Sequence, residues 1–567
     1  MTDYAFDMGN YGRTISTDSA PAQTWFDRGL NWVFGYNHEE ATRCFQQALI
    51  HDPGCAMAHW GIAYCAGPNY NMFWEHFDPA SLEVALQTAT DAMANAKENL
   101  DGTSEVERAL ISALHFRHPS TELPDDLYSW SHHYAEEMRL VYNRFPDDPD
   151  VATFFAEALM NLTPWNMWDP VTGDVGEGAE TLEVKAVLET ALAEVSEEGV
   201  VKHPGLLHLY IHLMEMSQTP EIALRSADDL RDLVPDAGHL KHMSTHIDVL
   251  CGNYQDVVKS NQSGIEADLI YLNEHGAMNF YSLYRVHNYH FKLYGAMFQG
   301  NYTAAMDAVK GINDTVPDEL VRLSSPPMVN FLEGYIGMKT HALVRFGKWQ
   351  QLIDEPLPED PTFYCTTAAL NCYGKGVAYA ALGDESSARK AIEEFDKHLN
   401  NVDEERYVHV VSCQDILGVA RSMMLGEIEY HAGNHDMAFD YLRNAIKRED
   451  AMPYDEPWGW MMPSRHALGA LLLEQGYTQE ATETYEEDLG LNDKVIRSNQ
   501  HPDNVWALMG LYECYERTGR ENDARKLKPR LDFALARSDL EIKASCFCSL
   551  SKYKRAENSE RTSQSQA

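Results

Sequence analysis

Three stretches decide how this chain is read: HPGLLHLYIHLMEMS at 203–217, GHLKHMSTHIDVL at 238–250 and YRVHNYHFKLYG at 284–295. In the first, His208, His212 and Glu215 follow i, i+4, i+7, which is one face of a helix. In the second, His242 and His246 repeat the i, i+4 step, with His239 three residues earlier; in the third, His287 and His290 stand at i, i+3. His208 and His242 are 34 residues apart, as are His212 and His246, so successive repeats present equivalent helix faces that carry imidazoles.

Working outward, the same unit is visible at WFDRGLNWVFGYNHEEATRCFQQALIHDP (25–53). Gly29 and Ala41 let two antiparallel helices approach, Trp25 and Phe45 fill the space between them, and Pro53 ends the second helix. Small-residue positions recur at Ala223, Ala305, Ala388, Ala438, Ala481 and Ala524, the last four after Gly-containing turns such as AGNHDMA and QGYTQEA. Strand patterning is nearly absent. The expected fold is all-α, a tetratricopeptide-like α-solenoid superhelix of antiparallel hairpins. A flexible leader is expected at 1–21, a single array at 22–548, and a disordered tail at 549–567. Gly-, Pro- and acid-rich insertions fall near 164–180 and 452–463, where lids are expected.

Composition excludes several classes. A net charge of −42 on 567 residues repels phosphate backbones, so nucleic acid is not an expected partner. No run of apolar residues is long enough to span a membrane, and MTDYAFDMGNYGRT lacks the basic and apolar regions of a secretory signal, so a cytoplasmic protein is expected. The ten cysteines include no CxxC pair and read as buried thiols; Cys546 and Cys548 are the one close pair, at a spacing that seldom bridges.

The chain resembles a group of long tetratricopeptide-repeat proteins of bacteria and some fungi. The matching segments are DPGCAMAHWGIAYCAGPN (52–69), AEALMNLTPWNMW (156–168), HPGLLHLYIHLMEMS, GHLKHMSTHI, HNYHF (287–291), YDEPWGW (454–460), DNVWALMGL (503–511) and CFC (546–548). The resemblance covers roughly residues 22–548 and implies a tetratricopeptide superhelix without assigning an activity. Ser244-Thr245 departs from the Pro-Ser expected between the two histidines.

Counted within their repeats, His208, His242 and His290 take the fifth position, His212, His246 and Tyr294 the ninth, and His239 and His287 the second. These positions are expected to line a concave groove. Neutral imidazole ligates Zn, Cu, Fe and Ni, and an i, i+4 pair can place two nitrogens on one ion. His208, His212, His239, His242, His246, His287 and His290 are therefore the candidate metal ligands. Glu215 and Glu157 are the candidate catalytic carboxylates, Glu215 also serving to orient an imidazole. The expected cofactor is a transition metal, copper or iron before zinc or manganese. Trp60, Tyr64, Trp165, Trp168, Tyr294, Trp458 and Arg465 are the candidate pocket for a small-molecule substrate, although each aromatic alone, and Arg465 as a salt-bridge partner, has an ordinary structural reading. His203, before Pro204, reads as a helix cap. The leading expectation is a metal-dependent oxidoreductase. Metal-dependent hydrolysis and a non-catalytic scaffold for a peptide or protein are the alternatives, and a homo-oligomer is compatible with all three.

Overall fold

The computed structural model describes residues 4–124, 126–195 and 201–549. The expected disordered tail lies, apart from Ser549, outside the described residues. The fold is all-α. Its repeated element is an antiparallel hairpin such as Ala20–Phe34 with His38–His51, Cys365–Leu382 with Glu385–Leu399, or Cys413–His431 with His435–Asp450. Among the described residues the named strands are Tyr407–Val408 and Val411–Ser412, a small antiparallel ribbon. No helix is long and apolar enough to cross a membrane.

By contact, the chain divides into two compact units. The first holds residues 1–247, 263–285 and 324–326; the second holds 248–262, 286–323 and 327–567.

In the first unit, hairpin geometry follows from side-chain size. Phe45 lies between Gly29 and Gly61, and a Cβ on either glycine would come within 2.6 Å of the phenyl ring. Asn37 caps the second helix by accepting from the Glu40 N–H, and Asp148 caps Pro149–Met160, with Pro149 in the first turn where its missing N–H costs nothing. His203 is the cap of Pro204–Glu215: its Nδ1 accepts from the Leu206 N–H at 3.2 Å, so Nε2 carries the proton and donates to Asp150 at 3.1 Å. Burial alone would raise the Asp150 carboxyl, but His203 and Arg13 outweigh it and bring it down to about 2.

Residues 4–19, expected as a loose leader, are packed. They form no regular element, yet Phe6, Met8 and Ile15 are buried. Trp32 donates its indole N–H to Tyr4, and Arg13 makes ion pairs with Asp148 and Asp150. Three isolated apolar side chains carry no periodicity, which is why composition reads this segment as a linker.

In the second unit, Tyr485 on Thr478–Asp488 lies against Gly469 of Ser464–Gln475 and Gly510 of Val505–Arg517; a Cβ there would stand 2.5 Å and 2.2 Å from the ring. Its hydroxyl meets Ser545 Oγ at 2.6 Å. Residues 452–463 run between His435–Asp450 and Ser464–Gln475 without a helix, and 454–463 are buried. Glu449, at the end of the preceding helix, accepts from the Ser464 N–H at 2.8 Å. Burial, reinforced by Asp450, pushes Glu449 up to about 8 from an ordinary 4.5. The folded state thus keeps a proton that the unfolded chain releases, and stability contributed at this site falls as pH rises through that window. Glu449→Gln keeps an acceptor and removes the titration. Its melting temperature relative to the parent should rise between about pH 5 and about pH 8.5, and thermal melts at the two values check it.

Candidate metal centre

The site belongs to the first unit. Pro204–Glu215 supplies His208, His212 and Glu215, and Gly238–Leu250 supplies His239, His242 and His246. All six are at most 2% exposed. One ligating nitrogen from each of His208, His212 and His239 lies within 4.8 Å of the other two, a grouping able to hold a metal ion. The ring centroids of His208 stand 4.8 Å from His212 and 5.0 Å from His239, and those of His242 and His246 are 4.7 Å apart.

Hydrogen bonds fix which nitrogen carries each proton. His208 Nδ1 sits 2.7 Å from the Phe34 carbonyl, so it donates and Nε2 holds the lone pair. Glu215 stands between two imidazoles: Oε1 is 2.9 Å from His212 Nδ1 and Oε2 is 2.5 Å from His246 Nδ1. A carboxylate in that position accepts from both, leaving the Nε2 atoms of His212 and His246 as bases. His246 Nε2 in turn lies 2.8 Å from His242 Nε2. Two ring nitrogens that close either share one proton or turn both lone pairs onto a cation. His208 Nε2 and both nitrogens of His239 are buried and make no hydrogen bond. Burial, then neighbouring imidazoles, lowers His208 and His239 well below the ordinary histidine range, so both are neutral bases.

Aromatic residues wall the cluster, and two are held in an unfavourable backbone conformation. Tyr36 (φ 54°) stacks on His212 and His239 and lies 4.6 Å from His208. Trp165 (φ 57°) meets His212 edge-on at 5.7 Å and stacks on Tyr70, which itself lies 5.0 Å from His212. Bulky residues in the left-handed region cost on the order of 1 kcal/mol or more and persist only where the surroundings hold them. Tyr284 closes the side next to His239 at 4.7 Å. The Tyr36 and Tyr70 hydroxyls are buried, Tyr36 facing Glu157, and burial, followed by nearby acidic groups, raises both phenols far above their ordinary value.

The other candidates are placed as follows. Glu157 is buried on Pro149–Met160, where Tyr64 donates to it; burial raises its carboxyl while Arg117 and Tyr64 oppose the rise. Trp60 and Tyr64 stack on each other, and both meet Phe154 edge-on. Trp168 donates its indole N–H to the Leu213 carbonyl at 2.6 Å, anchoring the 161–180 segment to the helix that bears His212. His287, His290, Tyr294, Trp458 and Arg465 belong to the second unit. There His287 lies beside His409, and His290 Nε2 is 2.9 Å from the Met461 sulfur. Tyr294 stacks loosely on Trp458, whose indole donates to Asn499. Arg465 makes a two-pronged ion pair with Asp450, both contacts at 2.7 Å, the salt-bridge reading of that residue.

Sequence reasoning missed Tyr36, Tyr70 and Tyr284. Signals existed for Tyr36, a bulky residue inside the tight Gly-Tyr-Asn turn between the first two helices, and for Tyr284, three residues before His287 on one helix.

No family model matches the chain, and no curated protein matches it. Among solved structures it is similar to a monomeric mutant of IFIT1 with Gppp-AAAA, at 14% identity over 84% of this chain and 90% of that one, with a TM-score of 0.33. It is also similar to the Cut9–Hcn1 hetero-tetramer of the APC/C (13% identity, 90% and 86%, TM-score 0.29) and to yeast Tom70 (11%, 88% and 96%, 0.25). Likeness at this level bears on neither activity nor partners.

Proposed function

We propose that the chain is a metal-dependent enzyme, an oxidoreductase acting on a small molecule, with its ion held by His208, His212 and His239. The observation that carries this reading is the direction of the protons. Nδ1 of His208 is tied to a backbone carbonyl, and Nδ1 of His212 and His246 to one carboxylate, which leaves their Nε2 atoms as the basic positions. A hydrogen-bonded carboxylate or carbonyl behind the ligating imidazole is the usual support of a metal-bound histidine.

An imidazole-rich set with its nearest carboxylate engaged behind two rings favours copper, with iron next and zinc or manganese after. A redox-active ion there would supply one-electron and oxygen chemistry. The protein's own part is separable from that chemistry. Glu215 orients His212 and His246. Tyr36, Tyr70 and Trp165 exclude water from the rings. The Tyr70 hydroxyl stays protonated and lies where a substrate could receive a hydrogen bond or a proton. The burial of every cluster histidine argues against an open peptide groove, the arrangement a scaffold would need.

Elemental analysis of the purified protein, followed by reconstitution with copper, iron, manganese and zinc salts, tests the reading. The expected result is a stoichiometric transition metal that survives dialysis, with oxygen uptake when small reducing substrates are added. No tightly held metal under any of these conditions overturns it. Zinc in place of a redox metal would move the assignment to hydrolysis.

A further inference from the structure

Well separated in sequence from the histidine cluster, the second unit brings a second set of metal-ligating groups together. Glu427 and His431 stand at i, i+4 on Cys413–His431. Ligating atoms of Glu427, Cys546 and Cys548 all lie within 4.8 Å of one another. His431 Nε2 is 3.6 Å from Glu427 Oε2. Glu427 is 3% exposed, and neither that oxygen nor His431 Nε2 has a hydrogen-bond partner. A buried carboxylate oxygen left in this state is costly unless something compensates it. The two sulfurs are joined as a disulfide, against the expectation of separate thiols; the other eight cysteines are thiols.

The segment carrying the sulfurs is held on several sides. Arg345 donates to the Ser545 carbonyl at 3.1 Å, Ser545 Oγ donates to the His466 carbonyl, and Ser549 Oγ donates to Glu474 at 2.6 Å. Phe547 packs on Trp506. The Cys548 N–H points at Cys546 Sγ from 3.1 Å, a donor that would stabilise a thiolate there.

We propose that Cys546, Cys548, Glu427 and His431 form a redox-gated site for a thiophilic divalent cation of the zinc type. Two thiolates, a carboxylate and an imidazole make a four-coordinate N/O/S set suited to such an ion. An external dithiol reduces the site: it is oxidised to its own disulfide, the Cys546–Cys548 bond breaks, and each sulfur gains one proton. Cation binding then releases the two thiol protons. An external disulfide returns the site to its oxidised state: the two thiolates give it two electrons and re-form the Cys546–Cys548 bond, it takes up two protons and leaves as a dithiol, and the cation is expelled.

Cobalt(II) tests this in the full chain, because thiolate-to-cobalt charge transfer absorbs only when sulfur is a ligand and is blind to the histidine cluster. The protein is reduced with a dithiol, desalted anaerobically and titrated. Expected is one equivalent of cobalt per chain with the thiolate band, absent from oxidised protein and from the Cys546→Ser/Cys548→Ser variant. Glu427→Gln, checked for folding by circular dichroism, should weaken binding roughly tenfold or more. No band in the reduced parent, or a band that persists in the double cysteine variant, overturns the proposal. Unchanged affinity in Glu427→Gln overturns the ligand set.

Discussion

Glu215→Gln should lower metal affinity about 10- to 100-fold while leaving the helices folded. The carboxylate accepts two N–H groups at once, from His212 and His246. An amide of the same shape has one oxygen to accept and one NH2 that must donate. One of the two imidazoles must therefore exchange its tautomer, taking the proton onto Nε2, and that ring no longer has a lone pair for a cation. Glu215→Ala goes further, leaving two buried N–H groups without an acceptor, at a cost of about 1–3 kcal/mol for each. Competition against a chelator of known affinity, with circular dichroism as the folding control, separates the outcomes. Equal affinity in the parent and in Glu215→Gln would mean that the carboxylate does not set the tautomers, and the assignment of His212 as a ligand would fall with it.

The second large effect is expected at Asp488, which is fully buried in the second unit. Its oxygens accept from His466 Nε2, His501 Nδ1 and the Asn504 amide, each at 2.9 Å. Arg345 donates to His466 Nδ1 at 2.8 Å, so the imidazole relays a neutral hydrogen-bond chain from guanidinium to carboxylate. Burial, which outweighs the pull of Asp488, lowers His466 to about 4. Burial alone would raise Asp488, but His466 and His501 overcome it and hold the carboxyl far below its ordinary 3.8. Asp488→Ala should destabilise the protein by about 3–5 kcal/mol, the scale for opening a buried charged network. Asp488→Asn keeps one acceptor and should lose about 1–3 kcal/mol. The sign with pH is definite. A depressed carboxyl contributes its stability above the unfolded value and loses it as pH falls through the folded one, so the parent and Asp488→Ala should converge in denaturation midpoint below about pH 4. A constant gap from neutral to acid would refute the account.

The helix faces were legible from spacing alone. The i, i+4 pairs at His208/His212 and His242/His246 require a helix to be neighbours, and the 34-residue offset between them calls for equivalent helices. Proton direction was half legible: Glu215 at i+3 from His212 is a local contact, whereas its bond to His246 crosses between helices. Tyr70 could not be read, because it arrives from an element without periodic relation to the histidines, whereas Tyr284 stands three residues before His287 on the same helix. His287 and His290 share the histidine pattern and fall just past the division between Arg285 and Val286. Arg465 was ambiguous because Asp450, its partner, lies across an irregular segment rather than one helical turn away.

The setting of Tyr485 constrains how this protein can vary. The ring lies against two backbones stripped of side chains at positions 469 and 510, and its hydroxyl grips Ser545, one residue before Cys546. A single methyl group at either position would evict the ring and loosen the strand of chain that presents both sulfurs. Descendants could thus keep every cysteine intact and still lose the pair's alignment, through a mutation at a glycine on a neighbouring helix.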